Sequence, residues 1–324
     1  MNKFPRNSKL DAGTRDGGGR ERGRNADRSS LAKSSTKSPA KKGLQNDGFE
    51  HRARKRFGQN FLHDQNVIQR IINAIHPQPT DHMVEIGPGQ GALTRKLLAN
   101  CGKLDTVELD RDLAAYLQQT LGEDPRFALH LGDVLKFDFS TLSDKPRSLR
   151  VVGNLPYNIS TPCMFHLLNY SHLIQDMTFM LQLEVVQRLA AQPGDEEFGR
   201  LGLMMQYYCE VEHLFDVPPG AFTPQPKVCS AIVRLTPHRE LPIKVLDVRC
   251  LQDVVRVAFT QRRKTLKNSL RTLISEAELN KLSIDLSLRP ENLSLADYAR
   301  ISDSISRAAD TGSKAAEQEE SYVE

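Results

Sequence analysis

Short apolar runs alternate with longer amphipathic segments through the middle of the chain. The apolar runs lie at residues 83–86, 104–108, 127–131, 150–152 and 177–181. Helical spacing of apolar residues follows at 92–98, 113–121, 162–168 and 184–191, and precedes the first run at Val67, Ile68, Ile71, Ile72 and Ile75. Because buried parallel strands are short and apolar and are joined by crossover helices, this alternation predicts a parallel β-sheet covered by helices on both faces.

Two later apolar runs, at residues 213–217 and 231–235, predict a closing antiparallel pair with a long, proline-rich connection, which brings the sheet to seven strands. Beyond Pro242 only helical spacing remains, at residues 247–259, 262–274 and 294–307. The sequence therefore predicts an α/β domain over residues 51–240, followed by a small all-helical domain over residues 241–307.

The two ends of the chain differ from this middle in composition. Residues 1–50 are rich in Gly, Ser, Arg and Lys without apolar periodicity, and residues 308–324 are acidic, so we expect a disordered basic extension and a disordered acidic tail. Residues 1–56 carry sixteen Lys or Arg against six Asp or Glu, although the net charge of the whole chain is only +4. Such an arm is typical either of binding to a polyanion or of a solvated extension that keeps a protein soluble.

Composition excludes several classes of protein. The chain has 324 residues, of which 39% are hydrophobic, enough for a sizeable core. No apolar run approaches the roughly 20 residues of a membrane span, and the basic N-terminus lacks the apolar centre of a secretory signal. The five cysteines include no Cys-x-x-Cys pair, which argues against a structural zinc site and a disulfide framework. We therefore expect a cytoplasmic protein without a bound metal.

Glycine or polar residues follow four successive predicted strands. Gly87 opens a Gly-Pro-Gly-Gln-Gly loop after the first strand, Glu108 ends the second strand, and Asp133 and Asn154 follow the third and fourth. The carboxyl ends of parallel strands share one edge, where open α/β sheets bind ligands. Glu108 comes about 20 residues after the glycines, and a carboxylate at that spacing can accept hydrogen bonds from both hydroxyls of a ribose. Asp133 is placed to reach an adenine amino group. The loop departs from the dinucleotide spacing Gly-x-Gly-x-x-Gly, which favours a nucleoside–amino-acid ligand.

The fourth strand ends in Asn154-Leu155-Pro156-Tyr157. The Asn154 side-chain carbonyl and the Leu155 backbone carbonyl can accept hydrogen bonds from one amino group, which pulls its nitrogen toward tetrahedral geometry and frees its lone pair. Enzymes that act on a base take it out of its stack and hold it on aromatic side chains. Tyr157 can supply such a face, and so can Phe222, which we expect to be exposed in the proline-rich connection.

Basic residues in the helical part are spaced for contact with phosphates. Within the predicted helix 262–274, Arg263, Lys267 and Arg271 are four residues apart and share one face. A second basic cluster lies at residues 54–56. Either a solvated face or an RNA-binding face fits this pattern, and the base-modifying site favours RNA.

In combination these motifs resemble the S-adenosylmethionine-dependent rRNA adenine dimethyltransferases over about residues 55–271, and more loosely to residue 307. The segments that carry the resemblance are 57–62 (Phe-Gly-Gln-Asn-Phe-Leu), 85–89 (Glu-Ile-Gly-Pro-Gly), 108–110, 154–160, 222–228 and 261–266. The first fifty or so residues and the acidic tail fall outside it. The resemblance implies a Rossmann-like methyltransferase domain with a small helical domain, and S-adenosylmethionine as methyl donor.

The resemblance also implies roles for individual cofactor-binding residues. Asn60 and Leu62 would close over the methionine end of the cofactor, and Gly87 would line it. Glu108 would hold the ribose and Asp133 the adenine ring.

For the target base, the resemblance implies that Asn154 contacts the cofactor and, with the Leu155 carbonyl, orients the amine, while Tyr157 and Phe222 sandwich the ring. The resemblance is strongest to the bacterial small-subunit branch of the family, the kasugamycin-sensitivity methyltransferases. That branch implies dimethylation of two adjacent adenosines near the 3′ end of 16S rRNA, in a pre-30S particle, by a monomer.

Three alternatives remain. The large-subunit methyltransferases of macrolide resistance share the fold, but residues 224–227 and 261–264 favour the small-subunit branch. A non-catalytic ribosome-assembly factor is disfavoured by the intact motif at residues 154–157. A nicotinamide dehydrogenase would need the dinucleotide glycine pattern and a catalytic acid or base, and we find neither.

Overall fold

A computed structural model of the protein describes residues 59–320, so the predicted basic extension and the cluster at residues 54–56 lie outside the described residues. The strands are β1 (Phe61–Leu62), β2 (His82–Ile86), β3 (Lys103–Glu108), β4 (Phe127–Leu131), β5 (Leu149–Asn154), β6 (Ile174–Gln182), β7 (Cys209–Val217), β8 (Phe222–Thr223) and β9 (Ser230–Pro237). The helices are α1 (Gln65–Ile75), α2 (Thr94–Leu98), α3 (Arg111–Leu121), α4 (Ser160–Leu168), α5 (Leu183–Ala190), α6 (Arg200–Tyr208), α7 (Val248–Thr260), α8 (Leu266–Leu270), α9 (Glu276–Asn280) and α10 (Leu295–Glu320).

Seven of the strands form one sheet in the order β4-β3-β2-β5-β6-β9-β7. Strands β2 to β6 are mutually parallel, whereas β9 runs antiparallel to both β6 and β7. This arrangement confirms the predicted mostly parallel sheet with a closing antiparallel pair. Because β2 pairs with both β3 and β5, the winding of the chain reverses there, and such a reversal opens a ligand cleft at the carboxyl ends of the strands.

Helices cover both faces of the sheet, as predicted. On one face α1 packs with α2, and its five predicted apolar residues are all buried. Asp64 caps α1 by accepting hydrogen bonds from the backbone N–H groups of Asn66 and Val67, at 2.8 and 3.1 Å. On the other face α4 and α5 bury residues such as Met164 and Val186 in a second apolar cluster.

The predicted helix over residues 262–274 is wrong in length, because α8 spans only Leu266–Leu270. The Leu266 N–H donates to the carbonyl of Leu288 at 2.7 Å, which ties the first turn of α8 to a neighbouring segment. Ser275 then begins α9 with a capping box formed with Glu278. The observed helix therefore begins four residues later and ends four residues earlier than predicted, and the capping box of α9 lies just past the predicted end.

The helical part is built around a third apolar cluster, formed by α7, α8 and α10 together with Phe198 and Tyr207 from the preceding segment. The described residues belong to one compact unit, and the domain boundary at residues 240/241 stays a prediction.

Helix α10 continues past residue 307, so residues 308–320, expected as a disordered tail, are helical here. Their Ala and Glu residues are strong helix formers. Within residues 59–320, no helix has both the length and the apolarity needed to cross a membrane.

Candidate active site

A cavity of about 390 Å³ opens at the carboxyl edge of the sheet, above the ends of β2 to β5. The strands end level with one another, since Glu108 lies opposite Leu131 and Ile86 opposite Gly153. The predicted site residues that line the cavity are Asn60, Leu62, Gly87, Glu108, Asp133, Asn154, Leu155 and Tyr157. The structure therefore brings together residues that are separated by almost a hundred positions in the sequence.

The glycine loop gives the cavity an open floor. Gly87 and Gly89 have φ angles of +64° and +58°, in the left-handed region that favours glycine. A Cβ at Gly87 would meet nothing within 4 Å, so the space above this residue is free for a ligand. A Cβ at Gly89 would lie 3.3 Å from the Phe61 ring, which packs directly on the loop.

Glu108 joins the glycine loop to the start of α3. One carboxylate oxygen accepts the Gly89 N–H at 3.2 Å, and the other accepts the Asp110 N–H at 2.8 Å. The residue is buried, and burial raises its pKa, although the two backbone bonds act against that rise. Each carboxylate oxygen can accept more than one hydrogen bond, so the side chain can also receive ligand hydroxyls.

The far wall of the cavity combines an acceptor with apolar surface. One Asp133 oxygen accepts the Leu135 N–H at 3.0 Å, which fixes the carboxylate beside Gly132. Leu109 lines the same wall and is 50% exposed, although sequence reasoning did not select it as a site residue. A flat ring with an amino substituent fits such a wall.

Glu85 is a second buried acid at the cavity, and the sequence analysis includes it only as part of the segment 85–89. Its side chain is 2% exposed, and one of its oxygens has no hydrogen-bond partner among the described residues. Burial, reinforced by the negative charge of Glu108, raises the pKa of Glu85 to about 8. An unmatched acidic oxygen below open space fits a ligand with a positive charge and hydrogen-bond donors, such as the ammonium of an amino acid.

This burial predicts how Glu85 affects stability. The unfolded chain releases the Glu85 proton near its ordinary pKa of 4.5, whereas the folded protein keeps it until about pH 8. Between these values the unfolded state binds fewer protons, so Glu85 lowers the free energy of unfolding as the pH rises. Glu85→Gln cannot ionise, and without cofactor it should gain stability over wild type by several kcal/mol from pH 5 to pH 8, since one pKa unit corresponds to about 1.4 kcal/mol.

Urea unfolding at pH 5 and pH 8 measures this difference. Glu123→Gln, which changes an exposed carboxylate, is the matched control and should follow wild type at both values. If Glu85→Gln also follows wild type at both, the buried carboxyl does not ionise as described.

Asn154 is oriented by a residue far away in the sequence. Its side-chain N–H donates to the Asn60 carbonyl at 3.1 Å, which leaves the Asn154 side-chain oxygen as an acceptor at the cavity. The preceding Gly153 lets β5 lie close to β2, because a Cβ there would be 2.7 Å from the Ile86 carbonyl on β2. Tyr157 lies beside them with its hydroxyl 2.9 Å from that of Ser230.

The segment 59–62 lies along the cavity and is held at several points. The Gln59 side chain donates to Asp110 at 3.1 Å, and the Asn60 carbonyl receives Asn154. Strand β1 then pairs with β8, with Leu62 opposite Phe222. Gln59 and the Phe61 ring also line the cavity, and sequence reasoning missed both because their contacts are distant in the sequence.

The expectation that Phe222 is exposed is wrong. Its side chain is 1% exposed and belongs to the core beside Val217 and Ile232. It lies opposite Leu62 of β1 in the β1–β8 pair, and it is not among the residues that line the cavity. In this conformation Phe222 has no free face for a base, and the structure does not bring it together with Tyr157.

The expectation of a single basic helix face is also wrong. Arg263 lies in the turn before α8, and Arg271 follows its last residue, so only Lys267 is within the helix. All three side chains are exposed, and the Lys267 ammonium lies 2.6 Å from the Glu276 carboxylate. They lie outside the cavity lining, on one short stretch of the helical part.

The mostly parallel seven-stranded sheet and the cavity at its carboxyl edge define a Rossmann-like fold whose site fits a nucleoside–amino-acid ligand, as in methyltransferases that use S-adenosylmethionine. Among the described residues, no group of three or more His, Cys, Asp or Glu side chains is placed to hold a metal ion. The family described as ribosomal RNA adenine dimethylase matches residues 50–307, and the chain belongs to that family.

Individual relatives agree with this assignment. The ribosomal RNA small subunit methyltransferase A of Pseudomonas fluorescens is 60% identical over 257 residues, which cover 79% of this chain and 95% of the relative. The protein of the same name from Pseudomonas aeruginosa is 56% identical, with 79% and 96% covered.

Solved structures extend the likeness. A dimethyladenosine transferase from Plasmodium falciparum has a TM-score of 0.62 at 25% identity, covering 74% of this chain and 94% of that one. The 23S rRNA methyltransferase ErmE has a TM-score of 0.60 at 26% identity, and the match covers 76% of this chain and 100% of ErmE.

Proposed function

We propose that this protein transfers methyl groups from S-adenosylmethionine to the exocyclic N6 of two adjacent adenosines near the 3′ end of small-subunit (16S) rRNA during ribosome biogenesis. The observation that carries the chemistry is the Asn154 side chain, held by the Asn60 carbonyl with its oxygen available at the cavity. The relatives of 56 to 60% identity, whose names specify the small subunit, support the choice of substrate.

The cavity residues fit the cofactor. Glu108 would hold the ribose hydroxyls, Asp133 and Leu109 the adenine, and Gly87 the amino-acid part. When bound, S-adenosylmethionine supplies an electrophilic methyl group on a sulfonium, which is a good leaving group, so the proposal requires no metal. The segment 59–62 would cover the cofactor and exclude water from the reacting atoms.

Asn154 and Leu155 would prepare the target amine. The lone pair of an adenine amino group is delocalised into the ring, so the amine is a weak nucleophile. The Asn154 side-chain oxygen and the Leu155 carbonyl would each accept one N–H bond, while Tyr157 stacks on the ring. Positioning then supplies most of the rate, because the reaction needs alignment rather than a strong base. Each transfer would put a methyl group in place of one amine proton, which is released to solvent, so two transfers would give N6,N6-dimethyladenosine.

The exposed basic stretch of the helical part would contact RNA phosphates through Arg263, Lys267 and Arg271. We place the substrate in a pre-30S particle, and we propose that the enzyme acts as a cytoplasmic monomer. Recognition of a folded RNA relies on shape and phosphate contacts as well as sequence.

Removing two of these cations is expected to weaken RNA binding in a salt-dependent manner. The double variant Arg263→Ala/Lys267→Ala loses two phosphate contacts, which should make the negative slope of log affinity against log salt shallower by about 1.4 to 1.8. Filter binding to small-subunit RNA across a salt series measures the slope. Arg256→Ala/Arg300→Ala removes the same charge from α7 and α10 and is the control. Equal slopes for the two double variants would remove these residues from the RNA interface.

Transfer from labelled S-adenosylmethionine to small ribosomal subunits that lack the modification tests the proposed substrate. Unmodified large subunits serve as the comparison. Label in small-subunit RNA is the expected result. Label in large-subunit RNA would instead assign the activity that the name of the ErmE neighbour describes. Binding to small subunits without transfer of label would indicate a ribosome-assembly factor that has lost catalysis.

A further inference from the structure

We infer that Ser230 is a positioning residue for the target base, because its hydroxyl holds the ring of Tyr157 in the orientation that receives the base. The inference rests on the proposed function, and it assigns a task to a residue outside every motif considered so far.

The backbone of Ser230 is fixed from two sides. It is the first residue of β9, and it lies opposite Gln182 on β6 and Val217 on β7. The residue is 1% exposed, so its side chain has little freedom to move. A hydroxyl on such a position is a rigid anchor.

The anchor reaches the far end of the Tyr157 side chain. The two hydroxyl oxygens are 2.9 Å apart across 73 residues of sequence. At the near end, the Tyr157 carbonyl accepts a hydrogen bond from the Ser160 hydroxyl at 3.2 Å. A tyrosine side chain has two rotatable bonds before its ring, and holding the hydroxyl fixes the first of them, so the ring axis keeps one direction at the cavity wall.

The contact with Ser230 occupies the Tyr157 hydroxyl, so this hydroxyl is not the group that meets the target base. Burial raises the pKa of Tyr157, so the hydroxyl stays protonated at neutral pH and makes a neutral hydrogen bond with Ser230. The hydroxyl is therefore engaged with β9, and the ring face is the part of this residue that is offered to a base. This explains why a tyrosine serves here, where phenylalanine would supply an equal stacking face without the anchor.

An anchor of this kind acts on the rate rather than on RNA affinity. Phosphate contacts dominate binding to nucleic acid, whereas the orientation of the ring decides whether the amine meets the methyl group in line. Loss of one neutral hydrogen bond should therefore lower the single-turnover transfer rate by roughly 3- to 10-fold. Cofactor affinity and RNA affinity should stay within about twofold of wild type.

The test is a double-mutant cycle of Ser230→Ala and Tyr157→Phe, with transfer rates measured at saturating cofactor and RNA. Both single variants should slow transfer equally, and the double variant should be no slower than either, since each removes the same bond. Tyr157→Phe leaves Ser230 in place, so it still reports on the anchor if Ser230→Ala unfolds. Ser302→Ala, at another buried serine in the helical part, should leave the rate unchanged.

Two results would overturn the inference: additive losses in the cycle, or a transfer rate for Tyr157→Phe equal to that of wild type. Rates are measured on whichever rRNA the wild-type enzyme methylates. Transfer to large-subunit RNA would thus overturn the proposed substrate while the cycle still decides the role of Ser230. Absence of transfer to either subunit would overturn the proposed function and this inference together.

Discussion

Replacing Asn154 with alanine is expected to lower the methyl-transfer rate by roughly 10²- to 10³-fold, the usual effect of removing a preorganised hydrogen-bonding group that acts on the reacting atoms. The side-chain oxygen that would accept the amine hydrogen disappears, and the link to the Asn60 carbonyl disappears with it. RNA affinity should be retained, because the basic residues of the helical part are untouched. Single-turnover transfer and filter binding, measured on the same preparation, separate the two effects.

Asn154→Asp is the informative companion. It keeps an oxygen for the amine, but it loses the N–H that donates to the Asn60 carbonyl and places a carboxylate against that oxygen. We expect transfer slower than wild type and faster than Asn154→Ala. A wild-type rate in Asn154→Ala would refute the assigned role of this residue.

Glu108→Ala should lower the affinity for S-adenosylmethionine by about 10- to 150-fold, the range for losing hydrogen bonds to a charged group. The carboxylate would receive the ribose, and it also holds the Gly89 and Asp110 backbone N–H groups, so its loss loosens two walls of the cavity. Isothermal titration with the cofactor measures the change.

Glu108→Gln separates these two contributions. It preserves the volume of the side chain and one acceptor oxygen, so its affinity should fall between wild type and Glu108→Ala. RNA affinity in the absence of cofactor should be the same for all three proteins. Wild-type cofactor affinity in Glu108→Ala would place the ribose elsewhere.

The sequence predicts the cavity well because its main residues are set by strand periodicity. Gly87, Glu108, Asp133 and Asn154 each follow an apolar run, and parallel strands in register must bring them to one edge. No long-range contact has to be known for this inference, since the order of elements along the chain suffices.

The errors occur where a distant contact decides the local structure. Phe222 is in a proline-rich connection whose local sequence reveals neither its pairing with β1, about 160 residues earlier in the chain, nor its burial in the core. The basic helix face is lost because α8 spans only Leu266–Leu270, and the N–H of its first residue donates to the carbonyl of Leu288. Apolar spacing is helical over residues 262–274, so the spacing could not reveal the shorter helix.

Some functional candidates were missed for the same reason. Glu85 stands in an apolar strand pattern, and its raised pKa depends on burial beside Glu108, which only the folded chain shows. Ser230 resembles any polar residue at the start of a strand until its hydroxyl is seen against Tyr157. Predicting such contacts requires knowledge of which residues lie opposite one another in the sheet, and not only that the sheet forms.

The measurement that bears most directly on the proposed function is nucleoside analysis of small-subunit RNA after reaction with labelled S-adenosylmethionine. Unmodified small subunits are treated in parallel with wild-type enzyme and with Asn154→Ala, and the digested nucleosides are separated. The account predicts that the label accumulates in N6,N6-dimethyladenosine for wild type, and that Asn154→Ala gives almost none. Label in any nucleoside other than an N6-methylated adenosine, or equal label from the two proteins, would contradict it.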